Sequence, residues 1–127
     1  MQAALEPDML SGGCNDGFLR KDALLAVVVL NGDQDNGTPG TPQDWYDAVV
    51  AAKGGNEEAI VTLVLSNDRD LPNYKYPGDA LDVNPLRLFA EAAAHGRFES
   101  ICTESYIPAL EKTAATIIEQ CSLLIPG

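Results

Sequence analysis

Eight apolar residues in an unbroken run, Ala23 to Leu30, lead straight into Asn31-Gly-Asp-Gln-Asp-Asn-Gly37. An apolar stretch of that length with three valines and no alternation fits a strand buried on both faces, as in a parallel sheet covered by helices on each side. Its carboxyl end delivers a loop rich in carboxylates, and open α/β sheets place their ligand sites at the carboxyl ends of their strands. The architecture expected from this segment is a layered α/β fold with its working surface on one sheet edge.

The rest of the chain repeats the pattern. Ala59-Ile-Val-Thr-Leu-Val-Leu65 is a second β-branched run that empties into Ser66-Asn-Asp-Arg-Asp70, and a third strand is expected over about Phe98 to Cys102. Between the first two runs, Gln43 to Lys53 carries Trp45, Val49 and Ala52 at helical spacing, with Thr41 or an adjacent residue as candidate cap and Gly54-Gly55 as the stop. Asn84 before Pro85 opens another helix that buries Leu86, Phe89 and Ala93 and stops at Gly96. From Ser105 to about Leu124, Ile107, Leu110, Ala114, Ile117, Ile118 and Cys121 line one face of a last helix, with Pro108 in its first turn, where a missing N–H costs little. Met1 to Glu6 reads as helix ended near Pro7, and Leu71 to Val83, with Pro72, Pro77 and Gly78, reads as an irregular excursion. Strand and helix therefore alternate three times, which predicts parallel strands joined by right-handed crossovers in a Rossmann-like three-layer sandwich, half of a doubly wound sheet in extent.

Length and charge narrow the functions. With 127 residues the chain fits one domain, 1–127, and 19 acidic against 8 basic residues give a formal charge of −11. That charge repels nucleic-acid phosphates and anionic membranes and leaves cations or basic partners as binders, although acidity most often serves solubility. No run approaches the ~20 apolar residues a membrane helix needs, and the first residues lack the basic start and apolar middle of a signal peptide, so any export signal is expected outside this chain. A G-x-G-x-x-G or G-K-[ST] phosphate loop is absent.

Asn15-Asp-Gly-Phe-Leu-Arg-Lys-Asp-Ala-Leu-Leu-Ala-Val-Val-Val-Leu30, the acidic loop after it, and Phe98-Glu-Ser-Ile-Cys102 with Tyr106 resemble the carboxyl-terminal half of von Willebrand factor A (VWA) domains. The likeness is to those of exported bacterial proteins, often lipoproteins, and it spans nearly the whole chain. The resemblance implies a noncatalytic, extracytoplasmic protein- or ligand-binding module, periplasmic, anchored to the outer membrane or secreted. It further implies an adhesion-type site in which a divalent cation (magnesium, manganese or calcium) completes its shell with an acidic group of a partner. The family's D-x-S-x-S string is missing, Asn31 and Gly32 stand where Thr and the metal-associated Asp are expected, and Asp33 falls one residue late. A one-residue offset turns a strand side chain to the other face. The metal site is therefore expected to be incomplete or degenerate in this chain, with Asp33 and Asp35 as its remaining carboxylates and a cation bound only in a full-length protein. Contacts to a ligand are expected from the loops after the strands, at Asn31, Asn36, Asn67, Asp68, Asp70, Tyr74 and Tyr76. If the first half of the sandwich is missing, the first strand's edge is exposed and self-association through it follows.

Two other chemistries share the same loop. Asp33-Gln-Asp35-Asn-Gly-Thr38 loosely resembles the D-x-D-G-T loop of haloacid dehalogenase-type phosphotransferases and phosphatases, with Asp33 as nucleophile and Asp35 as acid/base, but Asn31-Gly32 intervene, Asn36 is inserted and no later Lys with an acidic pair is evident. Asn31, Asp33 and Asp35 also alternate like the start of a calcium loop, with Pro42 where the closing Glu would stand. The remaining alternative is that these acids only solvate a turn.

The cysteines follow no C-x-x-C spacing. Cys102 at the top edge and Cys121 are separated by about 24 Å of helix at 1.5 Å per residue, too far to bridge. Cys14 precedes the first strand and shares the lower edge with Cys121, so that pair is the one that could form a disulfide in an oxidising compartment. In the exported VWA relatives a cysteine tends to follow the acidic loop, where Asn36 stands here, which would leave Cys102 without its partner. His95 is expected at a helix end against the last carbonyls, and Trp45 as a packing residue or part of an aromatic patch with Tyr74 and Tyr76.

Overall fold

The computed structural model describes residues 2–20, 22–33, 35, 37–71 and 83–124. Its centre is a three-stranded parallel sheet of β1 (Leu25–Leu30), β2 (Ile60–Ser66) and β3 (His95–Ser100) in the order β1-β2-β3. The register pairs Val28 with Leu63 and Val64 with Phe98. The expected α/β class and parallel sheet are present. A 3-10 turn (Gln2–Leu5) and the short α1 (Pro7–Leu10) precede β1, so Pro7 opens a helix where the sequence suggested it would end one.

Helix α2 (Pro42–Ala52) forms where the apolar spacing placed it. Thr41 accepts a hydrogen bond from the Asp44 N–H while the Asp44 carboxylate accepts from the Thr41 N–H, a complete capping box. The helix is stopped by Gly54 and Gly55, whose φ of 65° and 86° suit glycine. Helix α3 (Pro85–Ala92) is capped by Asn84, whose side-chain oxygen accepts from the Leu86 N–H. It ends earlier than expected, because Gly96 is a strand residue opposite Thr62. A Cβ there would lie 1.7 Å from the Ala90 carbonyl oxygen, so glycine is what lets α3 rest against β3. His95 accordingly starts a strand, with Nε2 2.9 Å from Glu58 Oε2, and does not cap a helix.

Helices α2 and α3 share one face of the sheet, where Trp45, Tyr46, Val49, Ile60, Val64, Leu86, Phe89 and Ala90 form the main core. Helix α4 (Ile107–Leu124) runs back over β2 and β3 on the other face, where the buried cluster is Leu63, Leu65 and Ala109.

Two packing expectations are corrected on that second face. Strand β1 is not buried on both sides: its residues alternate, with Leu25, Val27 and Val29 packed on the main core and Val28 and Leu30 exposed by 47% and 63%. It lies at the edge of the sheet, and α4 does not reach across it. In α4 the buried positions are Ala109, Thr113 and Gln120, while Ile107, Leu110 and Ile118 of the expected apolar face are exposed. Cys14 and Cys121, the pair that could bridge in an oxidising compartment, are both free thiols in this structure. Cys14 belongs to the segment held on the α2 side, where the Asn15 side chain donates to the Ala4 carbonyl, whereas Cys121 is on α4 across the sheet.

Candidate functional site

The carboxyl ends of all three strands meet at one edge, and the end of β2 organises it. Ser66, Asn67 and Asp68 continue the strand as a polar run that is nevertheless buried, together with Asn84 from the start of α3. Buried polar groups are tolerated when their hydrogen bonds are made, and here they are. The Asn84 amide donates to Ser66 Oγ (2.9 Å) and to the Asn67 carbonyl (2.7 Å). Ser66 Oγ donates to the Asp33 carbonyl (3.2 Å), which ties the first loop to the second, and the Ile101 N–H donates to the Ser66 carbonyl, which ties in the third. The Asp68 carboxylate accepts from the backbone N–H groups of Arg69 and Asn84.

Arg87 on α3 closes the arrangement from outside. Its Nη1 lies 2.7 Å from Asp70 and 3.4 Å from Asp68, its Nε donates to Glu91, and its guanidinium sits over the Phe98 ring at 5.7 Å. The hydrogen bond from Arg87 holds the Asp70 carboxyl below the usual range, and the Asp70 and Glu91 carboxylates push Arg87 up. Arg87 is absent from the residues the sequence suggested, and its signal is spacing: a cation one turn into a helix that follows an acidic loop.

The suggested site residues divide under this geometry. Asn67 and Asp68, expected to contact a ligand, are each 2% exposed and are spent on holding the edge together. Asp70 stays on the surface, and Asn31 extends the ladder by donating to the Leu65 carbonyl. Asn36, Tyr74 and Tyr76 lie outside the described residues. Trp45 is buried, and its Nε1 donates to the Pro39 carbonyl at 2.7 Å, fastening the first loop to α2.

Among the described residues, no third His, Cys, Asp or Glu side chain joins Asp33 and Asp35. The Asp35 carboxylate accepts from the Thr38 hydroxyl and from the N–H groups of Thr38 and Gly37, and the Thr38 hydroxyl foremost lowers its pKa. That carboxylate braces its own turn. Asp33 is exposed, its N–H donating to Asn31 Oδ1. Among the described residues no three His, Cys, Asp or Glu side chains are grouped so as to hold a metal ion, and a hard divalent cation needs several such oxygens, so the residues present do not fit the ion the VWA resemblance implies.

A cleft of about 520 Å³ opens at the same edge between the sheet and the first turn of α4. Leu65, Leu71 and Ala109 supply its apolar wall, and Cys102, Tyr106 and Lys112 its polar rim. The Tyr106 hydroxyl donates to the Ile101 carbonyl (2.9 Å) and Ser105 Oγ accepts from the Ile107 N–H, so the rim is held by its own hydrogen bonds. The volume is in the range of small-ligand and side-chain pockets. The sequence placed ligand contacts on the first two loops; Cys102 and Tyr106 of this third one entered only through the VWA resemblance and not as contact residues.

No family model matches this chain, and no curated protein and no solved structure matches it. Among the described residues, no helix is long and apolar enough to cross a membrane.

Proposed function

We propose that the chain is a noncatalytic binding module of VWA type that acts outside the cytoplasm and takes protein ligands at the carboxyl edge of its sheet, with a degenerate metal-ion-dependent adhesion site. The observation that carries this reading is the union of a strand end whose described buried polar side chains are hydrogen-bonded with an open cleft beside it. Such an edge offers hydrogen-bonded polar groups, and the cleft a recess for one side chain of a partner. The commitment of Asp35 to its own turn supports binding over phosphoryl transfer, because an acid/base must be available to the reacting group.

The test is nuclear magnetic resonance of the 15N-labelled chain titrated with pools of short lysine-containing and neutral peptides. Shifts confined to Leu71, Cys102, Tyr106 and Lys112 are expected, and Tyr106→Ala should abolish them. Shifts only at the opposite sheet edge, or turnover of a phosphomonoester that Asp33→Ala removes, would defeat the reading.

A further inference from the structure

The cleft beside α4 has walls that sort by chemistry. In the parallel register Glu99 pairs with Leu65, so its side chain leaves the sheet on the face that α4 covers, next to the apolar wall of Leu65, Leu71 and Ala109. Glu104, from the loop between β3 and α4, lines the same cleft. Glu99 keeps a long contact of 3.7 Å with Arg97, and among the described residues Glu104 has no ion-pair partner. Lys112 is the single ammonium among the described lining residues, so carboxylates outnumber it.

Much of the proton supply of the rim is already spent on the chain itself. The Tyr106 hydroxyl donates to the Ile101 carbonyl, the Thr103 hydroxyl donates to the Ser105 carbonyl at 3.4 Å, and the Cys102 thiol donates to Asn67 Oδ1 at 4.0 Å. What these groups still offer a ligand is lone pairs, and ionised carboxylates only accept. The lining is therefore weighted toward acceptors and calls for a ligand that donates.

We propose that the cleft receives a basic side chain of the protein ligand, arginine ahead of lysine, with its stem against Leu65, Leu71 and Ala109 and its charged head at Glu99 and Glu104. The proposal rests on the protein-binding reading above and gives that ligand its chemistry. A side chain of this kind buries its methylenes along apolar surface and keeps its charge at the rim. A guanidinium fork also matches carboxylates and lies against an aromatic ring, and the Tyr106 ring stands 37% exposed beside the opening. The net charge of −11 adds a field that draws a basic partner in and turns an acidic one away. Lys112 opposes the same cation, which makes it the most telling position to change. A cationic ligand binds better without it, and a ligand that brings a carboxylate binds worse.

The experiment titrates the 15N-labelled chain with short end-blocked peptides that differ only in a central arginine, citrulline or glutamate, citrulline having the shape of arginine without its charge. The arginine peptide is expected to shift the amides of Leu71, Cys102 and Tyr106, with an affinity that falls as salt rises. The citrulline peptide should bind about tenfold more weakly, the worth of a charged hydrogen bond, and the glutamate peptide should cause no shift. Glu104→Gln should weaken the arginine peptide about threefold and Lys112→Gln should strengthen it by a similar factor, the scale of exposed charge pairs. Spectra of the free variants establish that each is folded, and if one is not, the arginine and citrulline peptides on the unsubstituted chain decide. Binding of the citrulline or glutamate peptide at the cleft as tightly as the arginine peptide, or weaker arginine binding in Lys112→Gln, overturns the proposal and leaves the protein-binding reading standing. No shift at the cleft from any of the peptides overturns both.

Discussion

On the face carrying α2 and α3, Phe89 meets Tyr46 edge-on at 6.5 Å amid Trp45, Val49, Ile60 and Val64, and these side chains are almost completely withdrawn from water. On the face carrying α4, the sheet offers Leu63 and Leu65 and the helix answers with Ala109, Thr113 and Gln120. The first face has the density of a finished core, where removing atoms leaves a void that neighbours cannot fill. The second places small and polar side chains where a helix usually presents its greasiest ones, and keeps isoleucine and leucine to the side. The contrast locates stability on one face and an unused apolar surface on the other.

The comparison breaks if the two faces respond alike to substitution. Phe89→Ala should lower unfolding stability by about 3–5 kcal/mol, the cost of a fully buried aromatic side chain with the cavity it leaves. Gln120→Leu, at the buried line of α4, should change it by less than about 1 kcal/mol, since an apolar side chain replaces a polar one at a place that loses little packing. Urea denaturation followed by circular dichroism measures both. Equal losses would mean that the α4 face is as tightly specified as the other.

A smaller effect sharpens the role of the strand ends. Asn84→Ala removes the cap of α3 and leaves Ser66 Oγ and the Asn67 carbonyl without the amide that reaches them. The expected loss is about 2 kcal/mol, from a missing cap and buried groups left short of a partner. Hydrogen exchange should show the loss concentrated at Ser66 to Leu71 and the first turn of α3. A loss spread evenly over the sheet would show that the polar edge is not a separate unit.

What was legible in the sequence is what local chemistry decides. Thr41 with Asp44, Asn84 with Pro85 and the Gly54-Gly55 pair each fix a helix end through neighbours a few residues away, and those ends lie within a residue or so of their expected places. What was not legible depends on elements distant in the chain. The run from Ala23 to Leu30 is apolar on both sides, yet whether both are covered is decided by where α4 lies, and the strand's own residues hold no record of that. Ile107, Leu110, Ile118 and Cys121 have the period of a core-facing stripe, but Thr113 and Gln120 take the sheet-facing positions. At the carboxyl edge, Asn67 and Asp68 look like surface loop residues until Asn84 and Arg87, from the next helix, are brought to them.

The gentlest probe of the packed face is acid. In the capping box of α2 the Asp44 carboxylate accepts hydrogen bonds from the Thr41 backbone first and its hydroxyl second, and both hold its pKa below the usual carboxylate value. A carboxyl whose pKa is depressed by folding binds a proton more readily in the unfolded chain, so its stabilising effect is present above the unfolded value and is lost as pH falls through the folded one. Stability should therefore be level in this respect above the ordinary carboxylate range and decline below it, with Asp35 and Asp70 declining in the same sense. Asp44→Asn should flatten part of that decline and lower stability slightly at neutral pH, because an amide oxygen can still accept from Thr41 but carries no charge toward the helix N-terminus. Thermal melts of both proteins from neutral to acid pH measure the difference. Coincident curves would show that the capping box adds nothing to the anchoring of α2 that packing of Trp45, Tyr46 and Val49 does not already provide.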